Sequence, residues 1–467
     1  MNKSLYIVAF SLAFATTGIA QNNEGQDKVI DLGTQTTTEL RKTQAVSTIY
    51  SDELDKNATT SPYNAIYGLL PGLSVMQNTS WGTDKSRLNV RGRGSLNGDT
   101  PLFVVDGFAR PLEYINLSEI ESISVLKDGA ATALWGGRGA NGVVLITTKR
   151  GIYNQKDIKV DYKFGLGLPV NQPEFADAYT YAKARNEALR YDGLQPDMDE
   201  ASFLSGGNSD LYPNVDWQKE ALRNHTTSHQ LDITFRGGGK RLRYFSVLNY
   251  KNDMGLLNSK YTDYTDRYNS QMKKYFLNLR MNLDVDITDA TKLKLSMLGM
   301  LRETKRPTTS EATLFEQIFN TPSAAFPVQT QNGFWGSNNV LKTNPIANLA
   351  DVGYYKLNQR MLQADLRLVQ DLSVLTRGLS AELAIAYDNN ATYQETAKKS
   401  FMYQTIEKAQ TENRFTRITE ILTMNWKSAT KDWPINTYMP ILKRRSIITG
   451  HGINMILRPV LCFVKNQ

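Results

Sequence analysis

The sequence predicts a compact α+β domain followed by an incomplete antiparallel transmembrane β-barrel, and three observations carry that expectation. Residues 88–151 crowd short strand, turn and helix signals together. After Gly151 the chain changes to alternation of apolar and polar side chains. At the N-terminus stands a short apolar stretch of export-signal form.

Residues 1–20 begin with Lys3, run apolar from Leu5 to Ala15 and close on Thr17-Gly18-Ile19-Ala20 before Gln21, the tripartite form of a secretory signal peptide. The apolar part falls short of the ~20 residues that a spanning helix needs. An exported chain with a mature start near Gln21 is expected.

In the α+β domain, Leu102 to Val105 is an apolar run closed by Asp106-Gly107, a dipeptide suited to tight turns because glycine tolerates positive φ. Ser118 followed three residues later by Glu121 has the capping-box pattern, so a short helix is expected to begin there. Residues 123–126 favour strand, Asp128-Gly129 turns the chain, residues 130–134 favour helix and residues 143–148 favour strand. Gly137, Gly139 and Gly142 spell a GxGxxG pattern. Dinucleotide binding requires a strand before such glycines and a helix after them, and here the order is reversed, so they are read as a helix-to-strand connection.

Three blocks of this domain, Val90-Arg91-Gly92-Arg93-Gly94-Ser95-Leu96, Pro101 to Gly107, and Ile120 to Lys149, resemble in order the plug domain of SusC/RagA-like TonB-dependent outer-membrane receptors. The resemblance runs at lower specificity through Asp216-Trp217-Gln218, residues 244–255, residues 276–288 and Asn344-Pro345-Ile346-Ala347, or about residues 45–425 in all. It implies a nutrient importer whose plug fills a barrel of about 22 strands. It also implies that TonB acts on the plug and that a SusD-like surface lipoprotein captures glycans or peptides, with no catalysis and no cofactor. The domains expected are residues 21–44, an N-terminal extension; 45–151, the plug; 152–426, a partial barrel in outer-membrane lipid; and 427–467, an atypical tail.

Alternation identifies the wall. Leu277, Leu279, Met281, Leu283, Val285 and Ile287 interleave with Asn278, Arg280, Asn282, Asp284 and Asp286, giving one oily and one wet face. Eight such segments are expected, near residues 158–168, 230–236, 242–250, 276–287, 292–301, 361–369, 379–387 and 416–425. Most are of the ~9 to 11 residue length that a tilted membrane strand needs. Short connections such as 288–291 and long ones such as 302–358 suit periplasmic turns and extracellular loops. On this reading a charge at Leu279 is ruinous, and one at Asn282 is tolerated.

Composition excludes other classes. The tail from Lys427 carries +6 of the net +8, leaving no basic stripe in the body and no nucleic-acid partner. One cysteine, Cys462, allows no internal disulfide, and three histidines suggest no metal site. His225 and His229, four apart, precede an alternating strand and are read as a solvated turn.

The sequence also departs from the resemblance. Eight strands cannot enclose a plug of about a hundred residues, an open sheet leaves edges that lipid does not tolerate, and residues 21–45 leave no room for an additional N-terminal domain. A truncated, non-functional fragment of an importer and a secreted soluble β-sandwich binding module are therefore the alternatives. Of the site residues, Lys28, Val29, Ile30, Asp31 and Leu32 form the candidate TonB-contact segment, by position and β-propensity. Arg91, Gly92, Arg93, Asp106, Gly107, Asp128 and Arg138 are the plug-motif residues from which contacts to the barrel wall are expected.

Overall fold

In the computed structural model the described residues are 43–408, apart from 55, 57–58, 60, 77–85, 96–97, 170–171, 264–267 and 377, together with 29–31, 36–38, 415–420 and 462–463. The expected signal peptide and most of the tail lie outside them.

Two short strands, β1 (Val29–Asp31) and β2 (Thr36–Thr38), pair antiparallel ahead of the α+β domain. The domain contains β3 (Val46–Tyr50), the hairpin β4 (Leu73–Met76) and β5 (Arg87–Val90), then β6 (Leu102–Val105), β7 (Phe108–Ala109), β8 (Ile120–Leu126) and β9 (Val143–Thr148). Its main sheet runs in the order β3-β8-β9-β6-β7, with β6 parallel to β9. One core gathers Ile49, Leu54, Ile120, Ile123 and Ile146. Fully burying side chains of this size contributes roughly 1.5 to 3 kcal/mol each.

The turn expected at Asp106-Gly107 links β6 to β7, with φ of 44° at Asp106 and 83° at Gly107. The helix after Gly129 is present, capped by Asp128, and ends in a 3-10 segment, Ala133–Gly139, that leads through Gly142 into β9. A side chain at Gly142, whose φ is 88°, would meet Val90 at 2.8 Å, so this glycine serves packing. The helix expected at Ser118 is absent. Asn116 caps a single 3-10 turn, Leu117–Glu119, and Ile120 already starts β8, because its isoleucine and leucine side chains complete the core in extended form.

The wall consists of β10 (Lys156–Gly167), β11 (Thr226–Gly238), β12 (Leu242–Met254), β13 (Lys273–Asp286), β14 (Thr291–Pro307), β16 (Gly353–Asp371) and β17 (Leu379–Lys398), each antiparallel to its neighbour. The short β15 (Trp335–Ser337) lies in the connection between β14 and β16. Chain order is spatial order, and the sheet does not close; a two-residue strand, β20 (Cys462–Phe463), adds to β17. Seven of the eight expected segments are found, mostly longer than alternation alone indicates. They continue into polar sequence such as residues 389–398, where paired backbone holds the extended form without an oily face. The eighth is corrected: β19 (Phe415–Glu420) pairs with β18 (Tyr403–Lys408) in a separate three-stranded sheet with β15.

Short connections, 239–241, 287–290 and 372–378, all fall at one end of the wall, and the long ones at the other. The long ones fold on themselves around Trp217, Leu314, Phe326, Trp335, Ile346 and Leu349. His229 lies within β11, its Nδ1 2.8 Å from the Tyr162 hydroxyl, and not in a turn.

Along β13 the wall is polar inside and apolar outside. Leu277, Leu279 and Met281 are 40%, 43% and 50% exposed, whereas Asn278, Arg280 and Asn282 are 0%, 2% and 2% exposed. A soluble sandwich hides its apolar face beneath a second sheet. Among the described residues no second sheet covers this one, and the α+β domain fills its polar side instead.

Candidate functional site at the plug and wall interface

The polar residues of the alternating run in β13 from Asn278 to Asp284 each reach the α+β domain, and Asp286 meets Tyr153 just beyond it. Asn278 Nδ2 and Arg280 Nε both donate to the carboxylate of Glu119, which is fully buried. Asn282 Nδ2 donates to Thr148 Oγ1 at 2.8 Å and to the Lys149 carbonyl at 2.7 Å. Asp284 accepts from Arg150 Nη1 at 2.6 Å, and Asp286 from the Tyr153 hydroxyl. Arg150 Nη2 also donates to Ser296 Oγ of β14 at 2.9 Å. Two-residue periodicity aims all five side chains inward, and their register with the domain is set where the chain leaves β9 to enter the wall.

A second fastening lies on β16 and β17. The guanidinium of Arg110 donates from Nη1 and Nη2 to the two Asp365 oxygens, at 2.6 and 2.5 Å, and from Nη2 and Nε to Asp388 at 2.6 and 3.0 Å. The planar fork of arginine fits such bidentate contacts. Burial opposes the charge, but the bonds to Asp365 and then Asp388 outweigh it and raise the Arg110 pKa, so the group stays cationic. Phe108 packs on Ala384 and Ala386, and Tyr114 on Leu298, Met300 and Met361. The Arg302 guanidinium of β14 donates to the Glu113 carbonyl at 2.6 Å.

Asp106 is one bond removed from the wall. It accepts from Thr148 N at 3.0 Å and Thr148 Oγ1 at 2.6 Å, and Thr148 Oγ1 in turn accepts from Asn282. Burial would raise its pKa, but the charges of Arg150 and Arg280 and the Thr148 bonds hold it below the ordinary carboxylate range.

The residues expected from the plug motif thus separate. Gly107 lies against the wall, where a Cβ would come 2.6 Å from Arg367 Nη2. Asp128 directs its carboxylate within the domain, to Ala131 N and Ala45 N, both at 2.8 Å. Arg93 pairs with Asp99, 3.2 Å away. Arg91 and Gly92 form an exposed positive-φ turn, and the Arg91 amide donates to the Gly72 carbonyl. Arg138 is exposed and lines an open cleft of about 530 Å³ with Arg87, Arg110, Tyr63 and Phe103. In the candidate TonB-contact segment, Lys28 and Leu32 lie outside the described residues. Val29, Ile30 and Asp31 form β1, and Ile30 is buried among Val46, Val104, Leu126 and Trp135.

Glu119, Arg110, Arg150 and Tyr153 were not singled out from sequence. Glu119 had a signal, a carboxylate set among Leu117, Ile120 and Ile123 while a wet strand face elsewhere offered cations. Among the described residues no group of three His, Cys, Asp or Glu is placed to hold a metal ion.

Comparison with known proteins agrees with this geometry. Residues 38–143 match the family model for the TonB-dependent receptor plug domain. The chain is 30% identical over 283 residues to the TonB-dependent receptor SusC of Bacteroides thetaiotaomicron, covering 57% of this chain and 26% of that protein. It is 28% identical over 281 residues to the TonB-dependent receptor P26 of Formosa agariphila, covering 58% and 26%. A solved structure of the RagAB peptide importer in its open-open state superposes with a TM-score of 0.63 at 19% identity, over 79% of this chain and 43% of that one. The matched region thus spans about a quarter of the two sequence relatives. A plug domain seated against the polar face of an antiparallel barrel wall defines a TonB-dependent receptor. Within that class, this chain is similar in sequence to SusC and in fold to the RagAB importer.

Proposed function

We propose that the chain serves TonB-dependent import of a nutrient, such as a glycan or a peptide, across an outer membrane, the plug closing the lumen until TonB displaces it. The observation that carries this reading is the β13 ladder, in which four successive inward side chains, Asn278 to Asp284, all bind the plug. A polar interface of this kind holds the plug in place, yet each of its bonds can be exchanged for a bond to water when force is applied. The apolar outer face suits outer-membrane lipid and the relatives' names suit a TonB complex. A SusD-like surface lipoprotein is the partner on the long-loop side. No catalytic step belongs to this function. The β1 segment is the proposed point of TonB contact, and unpacking Ile30 from the plug core would free it.

The test is to tether plug to wall. With Cys462→Ser as background, Thr148→Cys and Asn282→Cys are joined by a short cleavable thiol crosslinker in cells, and growth on defined glycans or oligopeptides is followed. Crosslinking should stop uptake while surface binding persists, and cleavage should restore uptake. Undiminished uptake through a tethered plug would overturn the gating role.

A further inference from the structure

On the outer face of the wall, register places Lys273 of β13 directly opposite Lys305 of β14, and Lys305 directly opposite Lys356 of β16. Directly opposed residues of adjacent antiparallel strands lie about 4.5 to 5.5 Å apart at Cα, and like charges so placed destabilise a sheet. Three lysines therefore stand side by side across three strands. Glu303 is shared between two of them, with oxygens 3.0 Å from Lys305 Nζ and 3.0 Å from Lys356 Nζ. Glu395 lies opposite Lys356 and accepts from the Tyr354 hydroxyl at 2.6 Å. Arg360, four residues along β16 on the same face, lies in the row of Leu277 and Leu301, roughly 13 Å from the lysines and outside this group.

The height of the ladder gives it meaning. Toward the short-turn end, the next outward row holds Tyr275, Glu303, Asn358 and Tyr393, and from Leu277 and Leu301 onward the β13 side chains are apolar as far as Ile287. That apolar run is roughly 34 Å along the strand at about 3.4 Å per residue, or about 25 Å in height at a tilt near 45°, the thickness of an outer-membrane barrel's apolar band. Tyrosines at its upper edge correspond to the interfacial aromatic girdle. The lysines lie one row above, on the side of the long connections, where lipid headgroups would begin.

We propose that Lys273, Lys305 and Lys356 form a binding site on the outside of the wall for the phosphorylated headgroup of an outer-leaflet lipid. Its phosphate oxygens accept from the lysine ladder and relieve the repulsion that the register imposes. The inference rests on the membrane reading under Proposed function, and concerns a surface that neither plug nor imported nutrient touches. A phosphate on one lipid molecule can bridge neighbouring strands, because the ~5 Å lysine spacing matches the reach of its oxygens. Each basic group near an anionic surface strengthens attachment about fivefold.

The test compares the purified protein with a Lys273→Gln/Lys305→Gln/Lys356→Gln variant and with the corresponding triple Lys→Arg variant. Each is titrated in neutral detergent with mono-phosphorylated lipid A or its dephosphorylated form, and bound lipid is counted by native mass spectrometry. Insertion into phosphatidylcholine vesicles is measured in parallel. The protein and the arginine variant should prefer the phosphorylated lipid by tenfold or more, and the glutamine variant should lose the preference while still inserting. Insertion of the protein without any preference, or a preference unchanged in the glutamine variant, would overturn the site alone. Displacement of the lipid by an equal concentration of inorganic phosphate would assign the ladder to free phosphate and overturn the lipid. Failure of the protein to insert would overturn the membrane reading first, and the site with it.

Discussion

Glu119 and Arg280, 161 residues apart in sequence, form a buried ion pair between plug and wall, with the carboxylate of one accepting from the Nε of the other. Taking two charges out of water costs several kcal/mol per ion, so such a pair adds little net stability. Its consequence is specificity. Once the plug is seated, neither charge tolerates loss of its partner, and a plug shifted by one residue would bury both unpaired.

Glu119→Gln is therefore expected to weaken plug docking by about 3 to 5 kcal/mol, since it leaves the Arg280 guanidinium buried without a counter-charge. Hydrogen exchange of the β8 and β9 amides measures the loss. Adding Arg280→Met should recover part of it. A double variant as weak as the sum of its singles would mean that the two residues are not coupled.

Arg110→Lys keeps the charge and should still loosen the plug, by roughly 1.5 to 3 kcal/mol for each charged hydrogen bond lost. A lysine ammonium cannot reproduce the fork that spans Asp365 and Asp388. Faster proteolysis within residues 45–151 is the expected readout, and wild-type protection would show that charge alone suffices.

Leu279→Arg places a cation on the lipid face at mid-height, which costs about 2 to 4 kcal/mol and should block membrane assembly. Asn282→Arg, expected from sequence to be harmless, meets Thr148 and the Lys149 carbonyl in the structure, where an arginine has no room. It should leave the wall able to insert and displace the plug. Separate assays of insertion and of plug protection distinguish the two, and equal effects on insertion would refute the assignment of faces.

Asp106 supplies a pH dependence. Its folded-state pKa lies below the unfolded value of about 3.9, so the stability it contributes is fully present above that value and is lost as pH falls through the lower folded-state pKa. The Asp106 contribution to docking should hold from neutral pH to about pH 4 and fade below it, and Asp106→Asn should remove that part of the acid limb. A limb unchanged in the variant would assign it to another carboxylate.

Much of this protein is legible locally. Alternation in residues 276–287 identified both faces of β13, and the Asp106-Gly107 turn and the helix after Asp128 followed from short-range chemistry, because side-chain direction in a strand and φ at a glycine depend on the nearest residues alone. The capping pattern at Ser118 misled for the complementary reason. Its local preference is worth about 1 kcal/mol, less than the burial of Ile120 and Ile123 in the sheet. Which polar groups of the wall meet which polar groups of the plug was not legible at all. Arg110 finds Asp365 across 255 residues, and the lysine ladder exists only in the register of three strands. Periodicities, turns and the change from α+β domain to wall are written in neighbouring residues. The interface arises only when the chain is folded, since a buried charge is set by its partner, and strand register chooses partners through contacts distant in the chain.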